Sequence, residues 1–199
     1  MILWTIQTEA GWREFRSRGV LRGTRERIIE DSWRGAYLWM VEQMRRRIGQ
    51  PSLPTSYPIW AWFQFESPRR AKPDLRSTGY LPKGEAGIRI EFECPDEAAV
   101  LSDFQLWHYV LNYWYLPETE EEGERFEAEV AQHGLSFFDT KPLADPYYHK
   151  RIVKSWEKIF DLDWSENELV LPRSKKSIQA TVWEVAAEQV KNEKHFKAR

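Results

Sequence analysis

The sequence is poor in cysteine and contains no long apolar run. Its single cysteine, Cys94, excludes an intrachain disulfide, which is typical of a reducing compartment. No recognisable targeting segment follows Met1, and no apolar stretch is long enough to cross a bilayer. The net charge of −2 at pH 7 excludes a strong overall field toward nucleic acid or an acidic membrane. We therefore expect a cytoplasmic protein that does not bind a membrane.

The sequence also lacks the common catalytic signatures. It has no glycine-rich phosphate loop, no nucleophile elbow and no zinc-protease motif. Cys94 lies between a strand residue and a proline, where nothing would lower its pKa, so we expect an unreactive thiol. The histidines and Cys94 show no metal-ligand spacing, and we predict no metal site. The four histidines are His108, His133, His149 and His195.

Aromatic residues, by contrast, are abundant, with 11 tryptophans in 199 residues. Tryptophan favours cores, interfaces and ring-stacking sites. Aromatic and β-branched residues crowd positions 57–65, which predicts a strand. A loop punctuated by proline follows, and it carries Arg69 and Arg70. Either this region binds a flat, negatively charged ligand, or it is a buried central strand followed by an ordinary solvated loop.

The hydrophobic pattern predicts an α+β fold with a mixed, largely antiparallel sheet and several packed helices. The length suits a single domain over residues 1–199. Strands are predicted at 2–7, 57–65, 88–93, 168–172 and 178–185. Helices are predicted at 8–18, 32–48 and 118–133, with two more that begin near 102 and 145.

One constellation of residues points to chemistry. Thr5 and Gln7 are polar residues on the first strand, and Glu168 opens the strand predicted at 168–172. With aromatic rings for a flat base and arginines for phosphates, these groups suit a dinucleotide. A carboxylate can bind a ribose hydroxyl and stabilise the positive charge that develops when a glycosidic bond breaks. The alternative is that Glu168 is an ordinary surface acid at the start of a strand.

The sequence as a whole resembles a bacterial family of unknown function. The resemblance covers nearly the whole chain and implies a family without an assigned activity. It rests on the runs Leu3-Trp4-Thr5-Ile6-Gln7, Tyr57-Pro58-Ile59-Trp60-Ala61-Trp62, Pro73-Asp74-Leu75-Arg76, Leu101-Ser102-Asp103-Phe104 and Trp107-His108-Tyr109-Val110-Leu111-Asn112.

A second resemblance concerns the order of a strand, a helix, Gly19-Val20-Leu21 and a late Glu168-Leu169-Val170-Leu171-Pro172. This order resembles the ADP-ribosyltransferase superfamily, in particular the toxins that modify DNA bases. The resemblance implies an ADP-ribosyltransferase-like fold and NAD as the substrate, with Glu168 as the catalytic carboxylate. It also implies transfer of ADP-ribose to a nucleic acid or protein acceptor.

The same resemblance assigns the NAD-binding residues. Thr5, Gln7 and Thr8 stand where the first-strand motif holds the nicotinamide and its ribose. Arg69 or Arg70 would bind the pyrophosphate. The aromatic run itself, apart from the resemblance, offers Tyr57 and Trp60 to stack on a base. The sequence departs from such toxins on the first strand, where they usually carry His or Arg and this chain has Trp4-Thr5-Ile6-Gln7.

Two further hypotheses belong to other classes of protein. A binding module would hold a nucleotide, a single-stranded nucleic acid or a peptide on its aromatic and basic surface, without chemistry. An interaction protein would bury a tryptophan-rich face against the second component of an operon. The sequence carries no signal for a particular oligomeric state.

Overall fold

The chain divides into two units in a computed structural model. The structure describes residues 1–27, 30–70, 72–136, 141–165 and 170–199, with the backbone alone at positions 27 and 70. The first unit comprises Met1–Leu101 with Ser177–Arg199, and the second comprises Ser102–Lys176. The single domain over residues 1–199 stays a prediction beside this division.

The described residues form two β-sheets. The larger sheet has six strands in the order β5-β6-β3-β1-β4-β8, and the smaller one pairs β2 with β7. β1 lies antiparallel to both β3 and β4, while β3 pairs antiparallel with β6 and β4 with β8. The strands are β1 (Ile2–Thr8), β2 (Val20–Arg22), β3 (Ile59–Gln64), β4 (Ala86–Glu93), β5 (Val100–Asp103), β6 (Ile178–Val182), β7 (Glu184–Ala186) and β8 (Val190–Lys197). The predicted α+β fold with a largely antiparallel sheet is confirmed.

Two α-helices accompany the sheets in the described part of the first unit, α1 (Glu9–Arg18) and α2 (Arg34–Ile48). α1 begins where the Thr8 hydroxyl accepts a hydrogen bond from the Gly11 amide at 3.0 Å, as an N-cap residue does. It ends at Gly19, whose φ of 72° is left-handed and therefore favours glycine. Trp12 and Phe15 of α1 are buried against the apolar face of the sheet. The predicted helix at 8–18 is confirmed.

The end of the chain differs most from the prediction. The described part of the strand predicted at 168–172, residues 170–172, is not a strand. Pro172 has no amide to donate, and a short 3₁₀ turn, Arg173–Lys175, follows it directly. The strand predicted at 178–185 is interrupted at Trp183, so that its two parts join different sheets as β6 and β7. β5 and β8 were not predicted.

The second unit is helical in its described part. It contains α3 (Phe104–Leu111), α4 (Glu120–Gln132) and α5 (Pro146–Ser155). Each helix begins with a side-chain cap, supplied in turn by Asp103, Thr119 and Asp145. Among the described residues, no helix is long and apolar enough to cross a membrane.

A buried ion pair joins the two ends of the second unit. The ammonium of Lys176 lies 3.2 Å from the Asp103 carboxylate, and both side chains are almost completely buried. Lys176 also donates to the backbone oxygen of Trp164 at 2.9 Å. Asp103 accepts from the amide of Gln105 at 2.9 Å as the cap of α3. Both charges are therefore satisfied by hydrogen bonds, as buried charges must be.

Candidate functional site

A small hollow of about 160 Å³ lies beside the last residues of β1 in the first unit. Gln7 lines it together with the rings of Tyr37, Tyr57 and Trp60. Tyr37 and Trp60 meet edge to face, with ring centroids 6.1 Å apart. Burial raises the pKa of Tyr37, although a hydrogen bond with Trp60 opposes the rise. The hollow therefore presents three aromatic rings, one amide and the Arg22 side chain, with no carboxylate among its described lining residues.

A hydrogen-bond relay fixes the polar side of this hollow. The Thr5 hydroxyl, which is buried, donates to the backbone oxygen of Trp60 at 2.8 Å. The same hydroxyl accepts from the Gln7 side-chain amide at 3.0 Å. These two hydrogen bonds fix the orientation of the Gln7 amide at the edge of the hollow.

Gly23 holds the wall of the hollow close to β3. Its backbone oxygen accepts from the amide of Tyr57 at 3.1 Å. A Cβ atom at position 23 would lie 2.4 Å from the Tyr57 oxygen and 2.8 Å from the Pro58 oxygen. Only glycine permits so close an approach of two backbone segments. The position of the Tyr57 ring therefore depends on the missing side chain of Gly23.

A larger cleft of about 650 Å³ adjoins the hollow. The two share five lining residues, which are Leu21, Arg22, Gly23, Thr24 and Tyr57. Four arginines from separate elements line the cleft, namely Arg18, Arg22, Arg25 and Arg45. Three glutamates, Glu14, Glu26 and Glu42, line it as well. The volume lies in the range of small-molecule sites.

Several of these charges are already paired. Arg18 binds Glu14 at 2.8 Å, and Arg22 binds Glu184 at 2.9 Å. Arg45 differs, because its Nε atom is buried and has no hydrogen-bond partner in the part of the chain that the structure describes. A buried donor without a partner is costly, and Arg45 also lines the cleft, where a guanidinium can bind an anion. Arg45 is therefore the residue best placed to bind an anion in the cleft.

The sequence comparison identifies the family. A family described as a domain of unknown function (DUF3841) matches residues 2–191. The chain belongs to this family. No curated protein and no solved structure matches the chain. The match confirms the prediction that the chain belongs to an uncharacterised family. The bacterial source of the DUF3841 chain and its relation to ADP-ribosyltransferases stay predictions.

The residues predicted from the DUF3841 sequence fall into three groups. Gln7, Tyr57 and Trp60 line the hollow together, with Thr5 directly behind Gln7. Thr8 caps α1, so the structure gives its hydroxyl a structural role. Arg69 is exposed and lines neither the hollow nor the cleft. The side chain of Arg70 and all of Glu168 lie outside the described residues.

None of the cleft arginines was among the site residues predicted from the sequence. They lie on α1, on β2, in the following turn and on α2, so no local run contains them. The last-turn position of Arg45 in α2 has a sufficient local explanation, since cations complement the helix dipole there. Among the described residues, no group of three or more His, Cys, Asp or Glu side chains could hold a metal ion.

Proposed function

We propose that this DUF3841 protein binds NAD in the hollow and cleft of its first unit and transfers ADP-ribose to a nucleic acid or protein acceptor. The observation that supports the proposal is the adjacency of an aromatic hollow and a cleft that contains a buried, unsatisfied arginine nitrogen. A dinucleotide combines flat rings with a charged pyrophosphate, and it needs both kinds of surface side by side.

Three parts of NAD have a matching surface in this arrangement: a flat ring, the carboxamide and the pyrophosphate. A flat ring would enter the hollow against Tyr57 and Trp60, since stacking on aromatic side chains is favourable for any base. The Gln7 amide would bind the carboxamide of the nicotinamide. Arg45 would bind the pyrophosphate, because a guanidinium forms charge-assisted, paired hydrogen bonds with phosphate oxygens.

The chemical step is proposed from the sequence resemblance, which assigns the carboxylate to Glu168. The bond between the nicotinamide nitrogen and the anomeric carbon of the ribose breaks, and neutral nicotinamide leaves with the bonding electron pair. A carboxylate stabilises the positive charge that develops on the ribose. A nucleophilic atom of the acceptor then bonds to the anomeric carbon and releases its proton.

The test is calorimetric titration of the full chain with NAD, followed by measurement of nicotinamide release. Arg45→Ala should weaken NAD binding about tenfold or more, since a hydrogen bond to a charged group contributes about 1.5–3 kcal/mol. Arg46→Ala is the matched control, because Arg46 is exposed and binds Glu42 at 2.9 Å on the same helix. Glu168→Gln should abolish nicotinamide release while NAD binding remains. A wild-type chain that takes up no NAD would disprove the proposal.

Nucleotide binding without chemistry is the second candidate function. It is favoured by the finding that residues 170–172, where the resemblance requires a strand, are not a strand. In that case Trp60→Ala should weaken binding of NAD and of single-stranded oligonucleotides, and added salt should weaken both. Binding that is indifferent to salt and to the loss of the Trp60 ring would exclude this alternative.

A further inference from the structure

The second unit contains a separate groove of about 660 Å³, and none of its described lining residues belongs to the NAD proposal. Its aromatic wall consists of Tyr109, Trp114 and Tyr115. Tyr109 and Trp114 meet edge to face, with centroids 5.9 Å apart, and Trp114 is 49% exposed. A tryptophan that is half exposed beside a cavity of this size can receive a ligand on its ring.

Three carboxylates of α4 form the opposite rim. Glu120, Glu124 and Glu127 line the groove and follow one another at helical spacing on one face of α4. The helical rise separates them by about 6 Å and about 4.5 Å along the axis. None of the three forms an ion pair with a residue that the structure describes.

Three neighbouring acids that do not line the groove have partners within the second unit. Glu129 binds Arg151 at 2.7 Å, and Glu118 lies 3.1 Å from Lys158. Glu122 accepts a hydrogen bond from the Tyr115 hydroxyl at 2.5 Å. Burial, together with that carboxylate, raises the pKa of Tyr115 to about 12, so its ring stays neutral. The three acids of the groove have no such partner among the described residues, and neither does Glu121, which lies on α4 outside the groove.

The one cationic side chain among the described lining residues already has a hydrogen-bond partner. Lys141 is the single lysine or arginine among the described lining residues, and its ammonium donates to the backbone oxygen of Asn112 at 2.9 Å. Three carboxylates thus face one ammonium that already has a partner. The balance of charge favours a ligand that carries more than one positive group.

We propose that this groove binds a linear aliphatic polyamine. Its ammonium groups would pair with Glu120, Glu124 and Glu127, and one of them would lie over the Trp114 ring in a cation–π contact. Its methylene segments would cover the apolar lining, which includes Pro117, Val130 and Leu135. A peptide backbone would bring amide groups against this apolar lining, where they would lose their hydrogen bonds to water.

Spermidine is the probe for this site, titrated into the full chain at physiological ionic strength. We expect one molecule to bind per chain, and Glu124→Gln and Trp114→Ala each to weaken binding about five- to tenfold. Glu121→Gln is the matched control, since Glu121 is an exposed acid of α4 that does not line the groove, and it should leave the affinity unchanged. Thermal melting of each variant establishes that it is folded.

Three results would overturn the assignment. The first is an equal loss for Glu121→Gln and Glu124→Gln, which indicates diffuse attraction to an acidic surface. The second is binding that Trp114→Ala leaves intact. The third is tighter binding of a lysine-rich peptide than of spermidine, which identifies the groove as a protein-docking site. Because no residue of the NAD proposal is changed, failure here and failure there are distinguishable.

Discussion

Replacing Gly23 with alanine tests whether stability depends on the close approach of the Gly23 backbone to the Tyr57–Pro58 backbone beside the proposed NAD site. The new Cβ would lie 2.4 Å from the Tyr57 oxygen and 2.8 Å from the Pro58 oxygen. Both obstacles are backbone atoms, which cannot rotate away as a side chain can. We therefore expect the two segments to separate and the hydrogen bond from the Tyr57 amide to the Gly23 oxygen to break.

The magnitude follows from two contributions. Overpacking usually costs about 1–3 kcal/mol, and an obstacle made of backbone belongs at the upper end. The broken hydrogen bond adds about 1 kcal/mol. Gly23→Ala should therefore lower the free energy of unfolding by about 3–4 kcal/mol, which corresponds to a melting temperature lower by roughly 10 °C for a chain of this size.

Gly35→Ala provides a control that should raise the free energy of unfolding instead of lowering it. Gly35 lies in α2, and a Cβ atom there would meet nothing within 4 Å. Alanine in a helix is favoured over glycine, so this variant should gain about 0.5 kcal/mol. Urea titration followed by tryptophan fluorescence measures both changes. A Gly23→Ala variant that unfolds at the wild-type urea concentration would refute the argument from close approach.

Two further predictions concern buried charges and thiols. Lys176→Met should lower the free energy of unfolding by about 3 kcal/mol, because it leaves the buried Asp103 carboxylate without its cation. Lys175→Met, at the adjacent exposed position, should change the free energy of unfolding by less than about 0.5 kcal/mol in the same urea titration. Equal effects of the two substitutions would contradict the assigned ion pair. Burial raises the pKa of Cys94 from 9.0 to about 11. At pH 8 the folded chain should therefore contain about a hundredfold less thiolate than the unfolded chain. Alkylation by iodoacetamide should be slower in the folded chain by at least that factor. The rate in the folded state should rise as the pH approaches 11, and alkylation at the same rate with and without urea would show that Cys94 is not buried.

Elements with a strong local signal were predictable from the sequence. Thr8 and Gly19 mark both ends of α1, and Asp145 with Pro146 marks the start of α5. β8 has no such signal, because its residues are nearly all exposed and its strand conformation depends on pairing with β4. β5 is four residues long and leads directly into the cap of α3, so the helix signal concealed it.

The candidate site was predictable only where a strand pattern in the sequence marked its residues. Tyr57 and Trp60 stood out as part of an aromatic run, and Gln7 as a polar residue in an apolar strand. Arg45 could not be distinguished from its neighbours in the basic end of α2, since its buried Nε atom results from packing between distant elements. Arg69 was chosen because it follows the aromatic strand in sequence, but the chain turns away there and leaves it exposed.

The composition of β8 affects how copies of this chain meet one another. An outermost strand of eight residues offers a row of backbone groups that could pair with a neighbouring molecule and extend the sheet without limit. Here that strand carries Lys194 and Lys197, together with Lys191, whose ammonium pairs with Glu93 at 2.7 Å, so an identical edge would bring like charges together. Electrostatic repulsion thus protects the border of the sheet against fibre-like stacking, while a partner with an acidic strand of its own would meet no such barrier.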